Sequence, residues 1–177
     1  VLSFKLTLLK IIKPGWTILD IGANIGYYTI QFSKTLNGNG IIFAVEPAEN
    51  NINMLKKNIE TNKAKNVRVI DKAISSETDS GKLFLSQGHS GDHRIYKTKE
   101  KRASVTVNTI TVDDILNNEK RVDLIKMDIQ GAEHLAIQGM NETLDRFPDI
   151  IIVTEFSPSL LKSSGGNPIK FVQYFVD

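Results

Sequence analysis

The stretch from Trp16 to Thr29 constrains the fold of this chain more than any other. It reads Trp-Thr-Ile-Leu-Asp-Ile-Gly-Ala-Asn-Ile-Gly-Tyr-Tyr-Thr. An apolar strand with Asp20 at its carboxyl end leads into a loop between Gly22 and Gly26, and Tyr27 to Leu36 continues with helical spacing. Glycine in such a loop lets the backbone approach a ligand closely. The stretch therefore predicts a strand, loop and helix with a binding site at the loop.

A second acid follows the next predicted strand. The apolar run Ile41 to Val45 ends at Glu46. This carboxylate follows the glycine loop at about the 20-residue spacing that places an acid on the hydroxyls of a ribose in dinucleotide sites. The first third of the chain thus predicts a pocket for a ligand that contains adenosine.

The charge pattern of the loop separates the candidate ligands. A nicotinamide dinucleotide site has the sequence G-x-G-x-x-G and holds a pyrophosphate at the helix N-terminus. Here the loop reads G-A-N-I-G, without the middle glycine, and Asp20 just before it would repel a pyrophosphate. S-adenosylmethionine carries an amino group, a sulfonium and a ribose, and it carries no phosphate. The pattern therefore favours S-adenosylmethionine as the cofactor.

Length and composition limit the remaining classes. A chain of 177 residues predicts one domain whose single core buries ~70% of the unfolded surface. The net charge of +2 is too small to favour nucleic acid or a membrane surface, and no apolar run approaches the ~20 residues needed to span a bilayer. With no cysteine, the chain has no disulfides, thiolate catalysis or cysteine metal ligands. We expect a cytoplasmic protein without a metal site.

The ends of the sequence suggest a piece of a longer protein. The chain begins with Val1, and it stops at Asp177 inside a predicted amphipathic helix. We expect a single domain over residues 1–177 that opens with a helix at Val1 to Ile12. We also expect its last strand to be left as a sheet edge, so that the chain folds poorly or self-associates.

Strands and helices alternate along the chain, which predicts a three-layer α/β/α domain with a doubly wound, mostly parallel sheet. The five main strands are predicted at Thr17 to Ile21, Ile41 to Val45, Val67 to Ile70, Val122 to Met127 and Ile150 to Thr154. Further helices are predicted at Glu49 to Thr61, Val112 to Leu116, Ala132 to Met140 and Glu142 to Phe147. A polar loop, Gln87 to Arg102, joins two half-exposed strands at Lys82 to Ser86 and Ser104 to Thr109, and its basic end is predicted to be solvated.

Acids recur at the carboxyl ends of the predicted strands. In open parallel sheets, ligands bind beyond these ends, where the winding reverses. The acids at or just past such ends are Asp20, Glu46, Asp71, Asp128 and Glu155. Five acids on one rim predict a single site.

Four motifs stand out along the chain. They are the Asp20 to Thr29 loop, Val45-Glu-Pro-Ala48, Lys72-Ala-Ile-Ser75 and Ile125-Lys-Met-Asp-Ile-Gln-Gly-Ala-Glu133. Together they resemble the FkbM family of S-adenosylmethionine-dependent methyltransferases, and the last of them is the most specific. The resemblance implies a Rossmann-like class I core with strand order 3-2-1-4-5 and two further strands. It also implies methyl transfer to a hydroxyl of a small molecule, usually a sugar or a polyketide-derived ring. The chain departs from the family pattern at Gln130, where Glu is common, and in lacking the last two strands.

The resemblance and the rim of acids together give the predicted site. The predicted cofactor contacts are Asp20, Gly22, Ala23, Asn24, Gly26, Tyr28, Thr29, Glu46, Pro47, Asp71, Lys72, Ala73 and Asp128. The predicted contacts with the small-molecule or glycan acceptor are His89, His93, Gln130 and Glu155. The family motif implies Asp128 or Glu133 as the base that removes the proton of an alcohol, a step that typically contributes about 10²–10⁴-fold.

Other roles stay open for several of these residues. Asp128 also suits a helix N-cap, and Glu133 suits the first turn of a helix, where its charge favours the dipole. His89 and His93 lie in a glycine-rich loop and suit solvent as well as substrate. The alternative function is a catalytically degenerate S-adenosylmethionine-binding module, suggested by Gln130. A nucleic-acid methyltransferase is disfavoured, because Asp-Ile-Gln-Gly stands where amino-methylating enzymes often carry Asn/Asp-Pro-Pro-aromatic.

Overall fold

A parallel five-stranded sheet forms the centre of the fold in the computed structural model, which describes residues 2–176 and the side chains of residues 7–176. Its strands are β1 Trp16–Ile21, β2 Gly40–Val45, β3 Val67–Ile70, β7 Leu124–Met127 and β8 Ile151–Thr154. They lie in the order β3-β2-β1-β7-β8. This confirms the predicted order 3-2-1-4-5, since β7 and β8 are the fourth and fifth strands of the main sheet.

Helices follow the strands along the chain. Their bounds are α1 Leu2–Ile11, α2 Tyr27–Leu36, α3 Glu49–Thr61, α4 Val112–Leu116, α5 Glu133–Gln138, α6 Asn141–Arg146, α7 Pro158–Ser163 and α8 Pro168–Gln173. Val1, the first residue of the predicted N-terminal helix, lies outside the described residues. None of the helices within residues 2–176 is long and apolar enough to cross a membrane.

The large buried side chains of β1, β2 and β7 are divided between two cores. Ile18 and Leu124 pack with Phe32 of α2 in one of them. Leu19 and Ile125, their neighbours in sequence, belong to the other core, which α4, α5 and α8 complete. Successive side chains of a strand point to opposite faces of a sheet, so strands covered on both faces need apolar residues at almost every position.

A second, three-stranded sheet lies between β3 and α4 in the chain. It consists of β4 Ala73–Ile74, β5 Ser80–Phe84 and β6 Ser104–Ile110 in the order β4-β6-β5. β5 begins and ends two residues earlier than predicted. β4 was not predicted, because a strand of two residues is too short to show a periodic pattern. The isolated antiparallel pair of Phe84 with Arg94 folds the following loop back onto β5.

Candidate functional site

A cavity of about 210 Å³ opens at the carboxyl ends of β1, β2 and β7. The loops that follow β1, β2 and β7 line one part of the cavity, and the polar loop Gln87 to Arg102 lines another part. The predicted site residues on its wall are Gly22, Ala23, Asn24, Tyr28, Glu46, Pro47, Lys72, Ala73, His93, Asp128 and Gln130. The structure thus brings together residues from four separate motifs of the sequence.

The glycine loop crosses the end of β7 at very close range. Gly22 has φ +73°, and a Cβ there would lie 2.1 Å from the carbonyl oxygen of Asp128. The amides of Gly22 and Ala23 both donate to the carbonyl of Val45, each at 3.0 Å. Only glycine fits this conformation and this contact. The glycine at position 22 therefore lets the loop lie directly against the end of β7, where it forms the floor of the cavity.

Glu46 is 5% exposed and is held in place on the cavity wall by three donors. Its carboxylate accepts hydrogen bonds from the amide of Asn24 at 2.9 Å, the amide of Ala48 at 3.1 Å and Nδ2 of Asn51 at 3.1 Å. Burial raises the pKa of Glu46, and these hydrogen bonds oppose the rise. A carboxylate offers about four acceptor positions, so one is left for a hydroxyl group of a ligand.

Asp20 does not reach the cavity, because it is fully buried beneath it. Its Oδ2 accepts from Oγ1 of Thr29 at 2.6 Å, and Nζ of Lys126 lies 3.1 Å from its Oδ1. Both Asp20 and Thr29 were predicted to contact the cofactor. In this structure they join β1, α2 and β7 below the floor, and the position of Asp20 is suited to orienting Lys126 rather than to binding a ligand.

Lys126 is a cavity residue that sequence reasoning missed. Its Nζ donates to the carbonyl of Gly22 at 3.2 Å and lies 5.2 Å from the ring centre of Tyr28. Asp20 and Lys126 are direct partners in the register of β1 and β7, which places the two side chains on the same face of the sheet. A lysine inside the apolar run Leu124–Met127 was the available signal, since a charge is rarely buried without a partner.

Gln130 connects two carboxylates at the rim of the cavity. Its Nε2 donates to Oδ1 of Asp128 at 2.9 Å and to Oε2 of Glu155 at 3.3 Å. Partial desolvation and the nearby Asp128 raise the pKa of Glu155, whereas Lys126 opposes the rise. The Glu155 side chain is not on the cavity wall, so it is joined to the site through the amide of Gln130.

Glu133 lies away from the cavity, unlike Asp128. It is 2% exposed, and its Oε1 accepts from the amide of Ile129 at 3.0 Å. Burial raises the pKa of Glu133. The side chain therefore closes the turn between β7 and α5, the helix-start position described above as the alternative to a base.

The loop Gln87 to Arg102 is attached to both sides of the cavity. Nδ2 of Asn51, which also bonds Glu46, donates to the carbonyl of Ser90 at 3.0 Å. The hydroxyl of Tyr96 donates to the carbonyl of Gln130 at 2.7 Å. The loop is thus fixed beside Glu46 at one point and beside Asp128 at another.

An ion-pair cluster of Asp92, Arg94 and Arg102 connects two parts of this loop to each other. Asp92 accepts from Arg102 Nη2 at 2.6 Å and from Arg94 Nη2 at 2.7 Å, and the Arg102 side chain is 7% exposed. Although burial opposes the change, hydrogen bonds from Arg102 and Arg94 lower the pKa of Asp92. The prediction of a solvated basic run was therefore wrong for Arg102, because the sequence did not reveal its pairing with Asp92.

The other predicted residues lie outside the cavity wall. Asp71 and His89 are exposed, and Gly26 is buried at the start of α2. A Cβ on Gly26 would meet Cδ1 of Leu55 at 2.6 Å, so its small size serves packing between α2 and α3. Within residues 2–176, no cluster of three or more His, Cys, Asp or Glu side chains is arranged to hold a metal ion.

Sequence comparison connects the cavity to a family. A family model described as "Methyltransferase FkbM domain" matches residues 20–169. Among curated proteins, "Methyltransferase 1" of Beauveria bassiana (strain ARSEF 2860) is 26% identical over 146 residues, which cover 71% of this chain and 58% of that protein. The chain thus spans little more than half the length of this relative.

Solved structures share the fold at low sequence identity. The methyltransferase FkbM from Methylobacillus flagellatus KT superposes with a TM-score of 0.57 at 16% identity, covering 88% of this chain and 40% of that one. The precorrin-6y C5,15-methyltransferase from Geobacter metallireducens GS-15 gives a TM-score of 0.57 at 15% identity, covering 97% of this chain and 69% of that one. At these identities the likeness concerns the fold alone.

Proposed function

The chain belongs to the methyltransferase FkbM domain family, and from that premise we propose that it transfers the methyl group of S-adenosylmethionine to a hydroxyl of a small molecule. The observation that carries the proposal is the cavity itself. It places Glu46, the glycine loop and Asp128 around one space at the carboxyl ends of the strands. This is where ligands bind in open parallel sheets.

The polar groups of the cavity fit this cofactor. Glu46 has an acceptor position left for a ribose hydroxyl, and Oδ1 of Asn24 is buried without a partner among the described residues. A ligand with an ammonium group and hydroxyls satisfies both. The Lys126 charge is already paired with Asp20, so the floor offers little attraction to a pyrophosphate. When bound, S-adenosylmethionine supplies a methyl group on a sulfonium, and the protein supplies alignment worth roughly 7–11 kcal/mol.

Asp128 is the proposed base. It lies on the cavity wall and Glu133 does not. With S-adenosylmethionine bound, the Asp128 carboxylate would take the proton of the acceptor hydroxyl as that oxygen receives the methyl group, and S-adenosylhomocysteine would be the leaving product. Gln130 orients Asp128 through its amide, which replaces the carboxylate expected from the family pattern. We propose a sugar, glycan or polyketide-type alcohol as the acceptor, on the family resemblance.

The alternative function is a binding module without turnover. The amide of Gln130 occupies one oxygen of Asp128 and joins it to Glu155, which leaves Asp128 fewer lone pairs for an acceptor. Such a chain binds the cofactor as tightly as an enzyme does but shows no transfer.

The cofactor assignment is tested by calorimetry with S-adenosylhomocysteine. Glu46→Ala should weaken binding by roughly 1.5–3 kcal/mol, the range of a hydrogen bond to a charged group. Glu49→Ala, an exposed position on α3, is the matched control and should bind as the wild type does. NADH should not compete. Equal affinity in the two variants would remove Glu46 from the binding site.

The catalytic assignment is tested with the protein, labelled cofactor and a panel of sugars, glycolipids and polyketide alcohols. Asp128→Ala should lose transfer but still bind S-adenosylhomocysteine. Full transfer by this variant would disprove the base, and binding without transfer by the wild type across the panel would favour the module.

A further inference from the structure

His93 is a cavity residue whose ring is fixed by the backbone. Its Nδ1 accepts a hydrogen bond from the amide of Ser86 at 3.0 Å. A ring nitrogen that accepts from an amide carries no proton, so the proton of the neutral imidazole is on Nε2. Nε2 has no hydrogen-bond partner among the described residues, and the residue lies on the cavity wall.

The surroundings of His93 favour the neutral form of its ring. Burial lowers the pKa of His93, the Arg102 guanidinium lowers it further, and Asp92 opposes the change. A neutral ring with an engaged Nδ1 does not act as a base. It offers the cavity one N–H donor in a fixed direction.

Apolar side chains also line the cavity that His93 faces. Ile74 of β4, Leu83 of β5 and Ile95 of the loop line it, together with Pro47 beyond Glu46. Backbone pairing of Phe84 with Arg94, at 2.7 and 3.0 Å, holds the strand of Leu83 against the segment that carries His93 and Ile95. A flat aromatic base suits such a wall, because its faces are apolar and its edge carries acceptor nitrogens.

We propose that His93 is a specificity residue for the cofactor, whose Nε2–H donates to a ring nitrogen of adenine. This inference rests on the proposed function, because it assumes that the cavity holds S-adenosylmethionine. It moves His93 from the acceptor contacts, where the sequence placed it, to the nucleoside. It also gives the loop Gln87 to Arg102 a role in reading the base.

The test uses calorimetry with S-adenosylhomocysteine. His93→Phe keeps a ring but removes the donor, and it should weaken binding by roughly tenfold, as expected for the loss of one hydrogen bond. His93→Gln keeps an N–H donor and should recover part of the loss. His89→Phe, an exposed position in the same loop, is the matched control and should bind as the wild type does.

Ligand analogues test the contact without changing the protein. Among the 1-deaza, 3-deaza and 7-deaza analogues of S-adenosylhomocysteine, one lacks the nitrogen that accepts from His93. That analogue should bind the wild type about tenfold more weakly than the parent ligand, and His93→Phe should weaken it no further. If all three analogues lose the same affinity in His93→Phe as the parent ligand does, the adenine contact is wrong.

The tautomer has its own readout. A long-range ¹H–¹⁵N spectrum of the ligand-free wild type at pH 7 should show His93 neutral with its proton on Nε2. A proton on Nδ1, or a doubly protonated ring, would overturn the inference. The inference would also be overturned if the wild type binds S-adenosylhomocysteine and His93→Phe binds it as tightly as His89→Phe does. If the wild type binds no S-adenosylhomocysteine, the proposed function fails first and the adenine contact fails with it.

Discussion

At the scale of single residues, the buried pair of Asp20 and Lys126 has a large effect on stability. The Asp20 side chain is fully buried, and the Lys126 side chain is almost so. Removing one partner of such a pair leaves an uncompensated charge in a medium of low polarity. The free-energy cost of that buried charge is much larger than the net stabilisation that the intact pair provides. The pair therefore fixes β1 against β7 at the point where the cavity begins.

We expect Lys126→Met to lower the free energy of unfolding by about 3–5 kcal/mol, measured by urea denaturation. Lys82→Met, at an exposed position on β5, is the control and should change it by less than about 0.5 kcal/mol. The double variant Asp20→Asn/Lys126→Met should recover part of the loss, because no charge is then buried alone. A loss for Lys126→Met no larger than that for Lys82→Met would show that the pair is not buried in solution.

Glu155 gives a prediction about pH. Its pKa is raised by partial desolvation and by Asp128 in the folded chain, and Lys126 opposes the rise. A carboxyl with a raised pKa binds its proton more tightly when folded, so its contribution to stability is full at low pH. That contribution is lost as the pH rises from the ordinary value through the folded pKa.

Asp128→Asn removes the neighbouring charge and should shift the pKa of Glu155 down, towards the ordinary value. A ¹³C NMR titration of the Glu155 carboxyl would measure the shift directly. Glu142→Gln, which removes an exposed acid from α6, is the control and should leave the titration unchanged. An unaltered Glu155 in Asp128→Asn would mean that the two carboxylates do not interact.

At the scale of elements, the turn from β1 to α2 depends on its close contact with β7. Gly22→Ala would place a Cβ against the carbonyl of Asp128, and Gly38→Ala would meet no atom within 4 Å. Both glycines have positive φ, at +73° and +79°. The two substitutions therefore share the backbone strain of roughly 1–2 kcal/mol and differ in the steric clash.

Gly22→Ala should lose S-adenosylhomocysteine binding and more stability than Gly38→Ala, which should bind normally. Thermal melts and calorimetry on the two variants would measure both effects. Similar losses in the pair would show that the turn has room for a side chain.

Elements with a long, regular pattern were predictable from the sequence. α2 and α3 begin and end at the predicted residues, because their apolar positions recur with helical spacing over three turns or so. The two-residue β4 and the helix α7 were missed, since short elements form only through their neighbours. The same limit applied at the site: the sequence placed Asp20 at a strand end, but only the register of β1 with β7 shows that it faces Lys126 beneath the cavity.

At the scale of the whole molecule, exposed apolar side chains are concentrated on α8, on the residues that follow it and at Phe156 just after β8. The most exposed of those on α8 is Ile169, at 71%. The others are Phe156, Val172, Tyr174, Phe175 and Val176. In the described part of the chain, β8 pairs only with β7, so one edge of the sheet is open next to these residues. Exposed edges and contiguous apolar surface favour association between chains.

We expect the 177-residue chain to self-associate as its concentration rises, and Ile169→Lys/Val172→Lys to reduce the association. Light scattering over a concentration series would measure it. Met54→Lys, at an exposed apolar position on α3, is the control and should associate as the wild type does. A monomer at every concentration would show that this surface does not bind a second copy.

The loop Gln87 to Arg102 lines the cavity and is attached to it at two points, which bears on how fast a bound ligand can leave. Hydrogen bonds to Asn51 and Gln130 attach this loop to two sides of the cavity, and we infer that a nucleoside of the proposed kind leaves after at least one of them has broken. Our hypothesis is that the dwell time of the spent cofactor is set by this opening. Stopped-flow measurements should then show faster release of S-adenosylhomocysteine from Tyr96→Phe than from the wild type, with little change in its rate of arrival. Unaltered release would place the slow step elsewhere, whereas faster release would show that the hydrogen bond of Tyr96 to Gln130 limits the rate at which the ligand leaves.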